Sequence, residues 1–213
     1  MRKISHFYHN HFEFHQVLTT HYFCYKSFEL PQKICNKNNV LLILDEIQSG
    51  YGRSGKFFAF QYHNIQPDII TVAKGMANGF PIGGLLISNK YKAKFGMLGT
   101  TFGGNHLACV AAISVLDVLK KEQLLKNVNE VYQFFLDEVK TIPRVKKVKG
   151  KGLMLGLEFD FEVGELRKKL IFEKQIFTGG SNNKNLLRIL PPLTISKSQI
   201  NEFINALKEI TSL

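Results

Sequence analysis

Apolar runs that end in charged residues alternate along this chain with stretches whose apolar positions recur every three or four residues. The run VLLILDEIQ, residues 40–48, is apolar up to Asp45, the pattern of a central parallel strand buried on both faces. DIITVA, residues 68–73, and IGGLLIS, residues 82–88, repeat that pattern. NHLACVAAISVLDVLK, residues 105–120, and the stretch 122–140 carry helical spacing, and the polar QKICNKNN ahead of the first run is helix-compatible. Strands separated by loops and helices predict an α/β sheet over residues 31–124.

Beyond Pro143 the pattern changes. KVKGKGLMLGLEFD reads as a strand pair punctuated by glycine, followed by a charged helix over 163–174, a short strand near Ile176, a turn at GGSNNKN and the strand LLRIL. A final helix opens with Ser196 as its N-cap. Mixed strands and helices in this order predict a smaller α+β domain over residues 125–213.

Residues 1–30 differ from everything after them, since five of the seven histidines fall within the first 21 positions among Phe7, Tyr8, Phe12, Phe14 and Tyr22. No periodicity emerges, and polar residues interrupt any apolar core that a secretory signal would need. The segment is expected to be an atypical, poorly ordered leader. A metal site on His6, His9, His11 and His15 is the weaker alternative, so no metal is assigned.

At 213 residues, 45% of them hydrophobic and 21% charged, the chain is long enough for a substantial core. No run approaches the roughly 20 apolar residues of a membrane span, and no membrane partner is expected. Cys24, Cys35 and Cys109 form neither a CxxC pair nor an even set, which points to a reducing cytoplasm rather than a disulfide framework. The net charge of +11 raises the question of a nucleic-acid partner. Its densest run, from Lys140 to Lys151, lacks the interleaved aromatics of a nucleic-acid surface and reads as a solvated basic face.

Three features fall at the ends of the apolar runs: Asp45, Lys74 just after DIITVA, and the turn TTFGGN before a helix. Open α/β sheets bind ligands beyond the carboxyl ends of their strands. A lysine there is a candidate Schiff-base nucleophile, because desolvation frees the lone pair of an amine. An aspartate on a neighbouring strand adds the acidic partner that pyridoxal phosphate (PLP) enzymes set against the pyridinium nitrogen.

The strings LLILDEIQSGYGRSGKFFAFQ, PDIITVAKGMANGFPIGG and TTFGGNHLAC, in this order, resemble the cofactor region of class III (fold type I) PLP-dependent aminotransferases, and KGKGLMLGLEF and LLRILPPLTIS resemble that family's C-terminal domain. The resemblance spans roughly residues 31–213. It implies part of a fold type I large domain, with a mostly parallel sheet, followed by the small α+β domain. By resemblance Lys74 would be the Schiff-base lysine and proton carrier, Asp45 would pair with the ring nitrogen, and Gln48 would hydrogen-bond the phenolic oxygen. Thr101 would reach the phosphate of a cofactor held mainly by a second subunit, which requires a homodimer, with Gly103 and Gly104 allowing close approach. Arg188 would grip the carboxylates of the amino donor and of 2-oxoglutarate. NNVLLILDEIQSGYGRSGK and LPPLTIS look most like acetylornithine or succinylornithine aminotransferases of arginine synthesis, while ornithine and 4-aminobutyrate enzymes share the core motifs.

Two departures stand against the family pattern. No glycine precedes Gly50, so the Gly-rich loop that cradles the phosphate in relatives cannot lie in the first 49 residues in its usual form. His106 stands where relatives usually carry proline, at a position that begins a helix. The alternatives to an aminotransferase are a truncated, catalytically incompetent remnant acting as a dimer partner and, with little support, a basic nucleic-acid-binding module. By itself the chain is expected to bind PLP weakly or not at all.

Overall fold

The computed structural model describes residues 26–92, 94–96 and 99–212. The histidine-rich leader lies outside the described residues up to position 25; helix α1, Lys26–Lys37, begins inside the stretch read as leader and includes Pro31. The chain divides into two compact units on either side of the Leu124–Leu125 bond.

In the first unit α1 ends because Asn39 takes a left-handed backbone, φ 52°, which lets Val40 N–H return to the Cys35 carbonyl at 2.9 Å. Three strands follow, β1 (Ile43–Asp45), β2 (Ile69–Val72) and β3 (Gly84–Ile87), in the order β1-β2-β3. β1 runs parallel to β2, and β3 returns antiparallel through the turn that Gly79 and Gly83 allow. The apolar run at 40–48 therefore yields a strand of only three residues. At Leu42 the amide donates to the Asp68 carboxylate at 2.7 Å in place of a strand partner, and the ladder begins one residue later.

Asp68 is 5% exposed and closes the amino end of the sheet. Besides Leu42 N it accepts hydrogen bonds from the Tyr91 hydroxyl, at 3.1 Å, and from the Lys90 ammonium. Burial alone would raise its pKa, but the Lys90, Leu42 and Tyr91 hydrogen bonds outweigh burial and hold the carboxyl below its usual range.

Helix α2, His106–Lys121, is capped by Asn105, whose side chain accepts from Ala108 N at 3.0 Å, and ends in Lys120 and Lys121 against the negative end of the helix dipole. Ala108, Ala112 and Leu119 face inward, whereas Leu107, Val110 and Ile113 are exposed. Gln123, at φ 50°, separates α2 from α3, Leu124–Val139.

The second unit is built on an antiparallel sheet, β4 (Val145–Lys151), β5 (Met154–Phe159) and β6 (Leu186–Ile189), in that order. Gly150, at φ 99°, permits the tight β4–β5 hairpin; a Cβ there would lie 1.9 Å from the Met154 carbonyl oxygen. Where the sequence suggests a strand near Ile176, the Ile176 amide instead donates to the Leu170 carbonyl at 2.8 Å, and the chain makes only an isolated bridge between Gly179 and Arg188. Helix α4, Gly164–Phe172, and helix α5, Lys197–Thr211, complete the unit, and Ser196 and Gln199 form a reciprocal capping box at the start of α5. One core results. α3 contributes Val128, Val131, Phe135 and Val139 at helical spacing, β5 contributes Leu155, Leu157 and Phe159, and α5 contributes Ile200, Phe203, Ile204 and Leu207. The Phe135 and Phe203 rings stack with centroids 6.4 Å apart.

Truncating the fully buried Phe135 to alanine should cost about 3–5 kcal/mol, read as a lowered urea midpoint for the second unit. Asp68→Asn should cost roughly 1–2 kcal/mol at neutral pH. The depressed carboxyl stabilises the fold above its unfolded pKa of about 3.9 and loses that contribution as pH falls through the lower folded value. Urea titrations should accordingly show wild type and Asp68→Asn converging in acid; a constant gap from neutrality to pH ~2 would contradict the assignment.

Candidate active site

Parallel pairing sets Asp45 opposite Thr71, and Lys74 follows three residues beyond that partner. Both therefore sit at the carboxyl ends of adjacent parallel strands, where the topology of an open α/β sheet leaves room for a ligand. Lys74 opens a short 3-10 turn, Lys74–Met76, and adopts φ 46°, a left-handed conformation that a residue with a Cβ seldom takes. It is exposed, and among the described residues its ammonium has no hydrogen bond or ion pair. Asp45 is half-buried, and its Oδ1 accepts from Ile47 N at 2.9 Å.

Between Asp45 and Phe60 the chain folds into a loop with little freedom. The backbone of Glu46 joins it to β2, its N–H donating to the Thr71 carbonyl at 3.0 Å while its carbonyl accepts from Gly50 N at 2.9 Å. The Glu46 side chain, 3% exposed, accepts from the Ser49 hydroxyl and from Phe60 N at 2.8 Å. Burial pushes this carboxyl up; the hydroxyl and amide hydrogen bonds pull the other way, and the neighbouring Asp45 adds to the rise. Gln48, half-buried, lies within the turn so formed.

Tyr51, at φ 54°, packs its ring against Phe57 at 5.2 Å and Phe58 at 6.1 Å. A Cβ placed on Gly75 would lie 3.4 Å from the Tyr51 Cβ, so this loop abuts the turn that presents Lys74. Helix α2 also lies against that turn. Thr101 is exposed in the loop before α2, where Gly103 N donates to Thr100 Oγ1 at 3.2 Å and Gly104 takes φ 73°.

Arg188 belongs to the second unit. It lies on β6 opposite Gly156 of β5, and its backbone exchanges two hydrogen bonds with Gly179, at 2.8 and 2.9 Å. Its Nε is buried without a hydrogen-bond partner among the described residues. Gly179 keeps the flank of the guanidinium open, since a Cβ there would come within 2.9 Å of Nε.

By sequence Glu46 is one of the charges that end an apolar run. Alternation sets Glu46 on the face of the buried Leu44, but its partner at Phe60 lies too far along the chain to be read from the sequence. The histidines considered for metal binding lie outside the described residues; among the described residues no group of three or more His, Cys, Asp or Glu side chains could hold a metal ion. No described helix is long and apolar enough to cross a membrane.

An α/β unit with a lysine and an aspartate on neighbouring strand ends, followed by an α+β unit, defines the class of fold type I PLP-dependent enzymes. The sequence pattern of the Aminotransferase class-III family matches residues 26–211, and the chain belongs to that family. It is 44% identical over 181 residues to an acetylornithine aminotransferase of Aquifex aeolicus, covering 84% of this chain and 47% of that relative. Identity is 39% over 184 residues to the acetylornithine aminotransferase of Bacillus subtilis, with 84% and 47% covered. Among solved structures, an ornithine aminotransferase from Plasmodium yoelii superposes with a TM-score of 0.77 at 31% identity over 88% of this chain and 52% of that one. The Plasmodium falciparum ornithine δ-aminotransferase gives 0.75 at 31% identity over 87% and 49%. The chain spans about half the length of the curated relatives it matches.

Gly50 leaves no room for a side chain in the site loop, since an added Cβ would fall 2.8 Å from the Glu46 carbonyl oxygen and 3.2 Å from the Phe58 ring. Gly50→Ala should destabilise the first unit by about 1–3 kcal/mol, measurable by thermal unfolding.

Proposed function

We propose that this chain provides the lysine-bearing part of a PLP-dependent aminotransferase that moves an amino group from acetylornithine, or a related ω-amino donor, to 2-oxoglutarate in the cytoplasm. The observation that carries the reading is the placement of Asp45 and Lys74 at the ends of two paired parallel strands. The first unit's donors suit the cofactor: an amine without a hydrogen bond or ion pair among the described residues for an aldehyde, and a half-buried carboxylate for a pyridinium.

PLP, when bound, supplies an aldehyde that captures amines and a ring that withdraws electrons from the carbon beside them. Asp45 would hold a proton on the ring nitrogen, and Gln48 would donate a hydrogen bond to the phenolic oxygen. Lys74 Nζ would tether the cofactor, yield to the substrate amine, and then carry a proton away from the donor's amine-bearing carbon as a general base. Arg188 would bind the carboxylates of donor and acceptor through the parallel N–H groups of its fork. Thr101 would reach the phosphate of a cofactor in a second subunit, making a homodimer part of the working site. Donor and 2-oxoglutarate would react in turn, giving ping-pong kinetics.

The names of the acetylornithine aminotransferase relatives support that donor. Ornithine is the second reading, and the ornithine aminotransferases among the similar structures favour it.

The direct test is chemical. After incubation with millimolar PLP and borohydride reduction, peptide mapping should find the reduced adduct concentrated on Lys74, and Lys74→Ala should lose it. Labelling spread evenly over the surface lysines would reject the reading.

A further inference from the structure

We propose that Glu46 is a positioning residue that fixes the loop carrying Gln48, and through Tyr51 the turn carrying Lys74, by binding the far end of that loop with a buried carboxylate. This rests on the reading of Lys74 and Asp45 as cofactor contacts and adds to it a residue that need not touch the cofactor.

Four observations converge on it. Glu46 is almost wholly buried and directly follows Asp45, so any shift of one moves the other. Its backbone is tied to β2 at Thr71, the residue paired with Asp45. Its carboxylate spans 14 residues to the Phe60 amide, drawing the first turn of the 3-10 segment Ala59–Tyr62 back onto the strand end. The Ser49 hydroxyl, adjacent to Gln48, meets the other carboxylate oxygen. The loop is thus closed at both ends on one side chain, and its middle, at Tyr51, lies against Gly75 beside Lys74.

All the partners named are uncharged, so a carboxylate is an expensive choice for a task of holding a loop in place, unless the loop must be held closely. Glutamine can keep the acceptor for Phe60 and offer an amide to Ser49. Alanine removes every contact, and aspartate is one methylene too short to reach Phe60.

The full chain serves as the test, with wild type compared against Glu46→Ala, Glu46→Gln and Asp68→Asn. The last variant weakens the other end of the same sheet and controls for simple loss of stability. Hydrogen–deuterium exchange without cofactor should show residues 47–60 exchanging at least about tenfold faster in Glu46→Ala, close to wild type in Glu46→Gln, and little changed in Asp68→Asn. Borohydride trapping with PLP should show adduct at Lys74 falling about tenfold in Glu46→Ala and recovering to within about threefold in Glu46→Gln. Unaltered exchange of the loop in Glu46→Ala overturns the role of Glu46 whether or not cofactor binds. An equal loss of trapping in Asp68→Asn and Glu46→Ala also overturns it, reducing Glu46 to general stability. Wild type that forms no adduct at Lys74, with the exchange pattern as expected, sinks the cofactor reading and leaves the loop assignment standing.

Discussion

The parallel ladder between β1 and β2 is the constraint on which the rest of the first unit depends. Parallel strands run in the same direction, so in this register the residues at their carboxyl ends are neighbours whatever the connection between them does. Asp45 and Lys74 are 29 positions apart in sequence, yet the register Asp45 to Thr71 leaves only a three-residue step between them along β2. An antiparallel pairing would have sent the lysine to the opposite end of the strands. β3, which does return antiparallel, carries no residue assigned to the chemistry.

Two buried carboxylates bracket this short ladder, and they solve the same desolvation problem in opposite ways. Asp68 recruits a cation, Lys90, with a hydroxyl and an amide, and its proton affinity falls. Glu46 recruits an amide and a hydroxyl, and burial prevails. The difference follows from what each end must do. At the amino end nothing but the sheet has to be held, and a half-exposed Lys90 can supply charge at little cost. At the carboxyl end, under the proposed pairing of Asp45 with a pyridinium, a cation beside Asp45 would compete for the same carboxylate, so neutral donors are the compatible choice.

Much of this was legible in the order of residues because the signals were redundant. Apolar runs of strand length, helices with caps at Asn105 and Ser196, and charged residues at strand ends all pointed one way. What could not be read was where side chains replace backbone. The 40–48 run looked like one long strand, but the Asp68 carboxylate takes the Leu42 amide and shortens the ladder to residues 43–45. The segment near Ile176 looked like a strand and makes one bridge, because pairing depends on an edge partner that composition does not encode. Glu46 was hidden for a related reason, since its partner at Phe60 lies a full loop away.

The two units are secured by different means, and the difference bears on where precision is kept. In the second, helix and sheet faces of Val, Leu, Ile and Phe are covered almost completely, so Arg188 stands on a strand fixed by hydrophobic packing. In the first, Leu85, Leu86 and Ile87 of β3 and Leu107, Val110 and Ile113 of α2 remain largely exposed, and the covered apolar surface is correspondingly smaller. Packing there contributes less per residue. The geometry around Asp45 and Lys74 therefore rests on directional contacts: the ladder hydrogen bonds, the Asp68 cluster, and the Glu46 carboxylate on the loop. Hydrogen bonds to charged groups contribute about 1.5–3 kcal/mol each when buried, comparable with the burial of one large aliphatic side chain. In a unit with few such side chains covered near the strand ends, the Glu46 carboxylate, accepting from Ser49 and Phe60, sets where the loop sits by direction rather than by area.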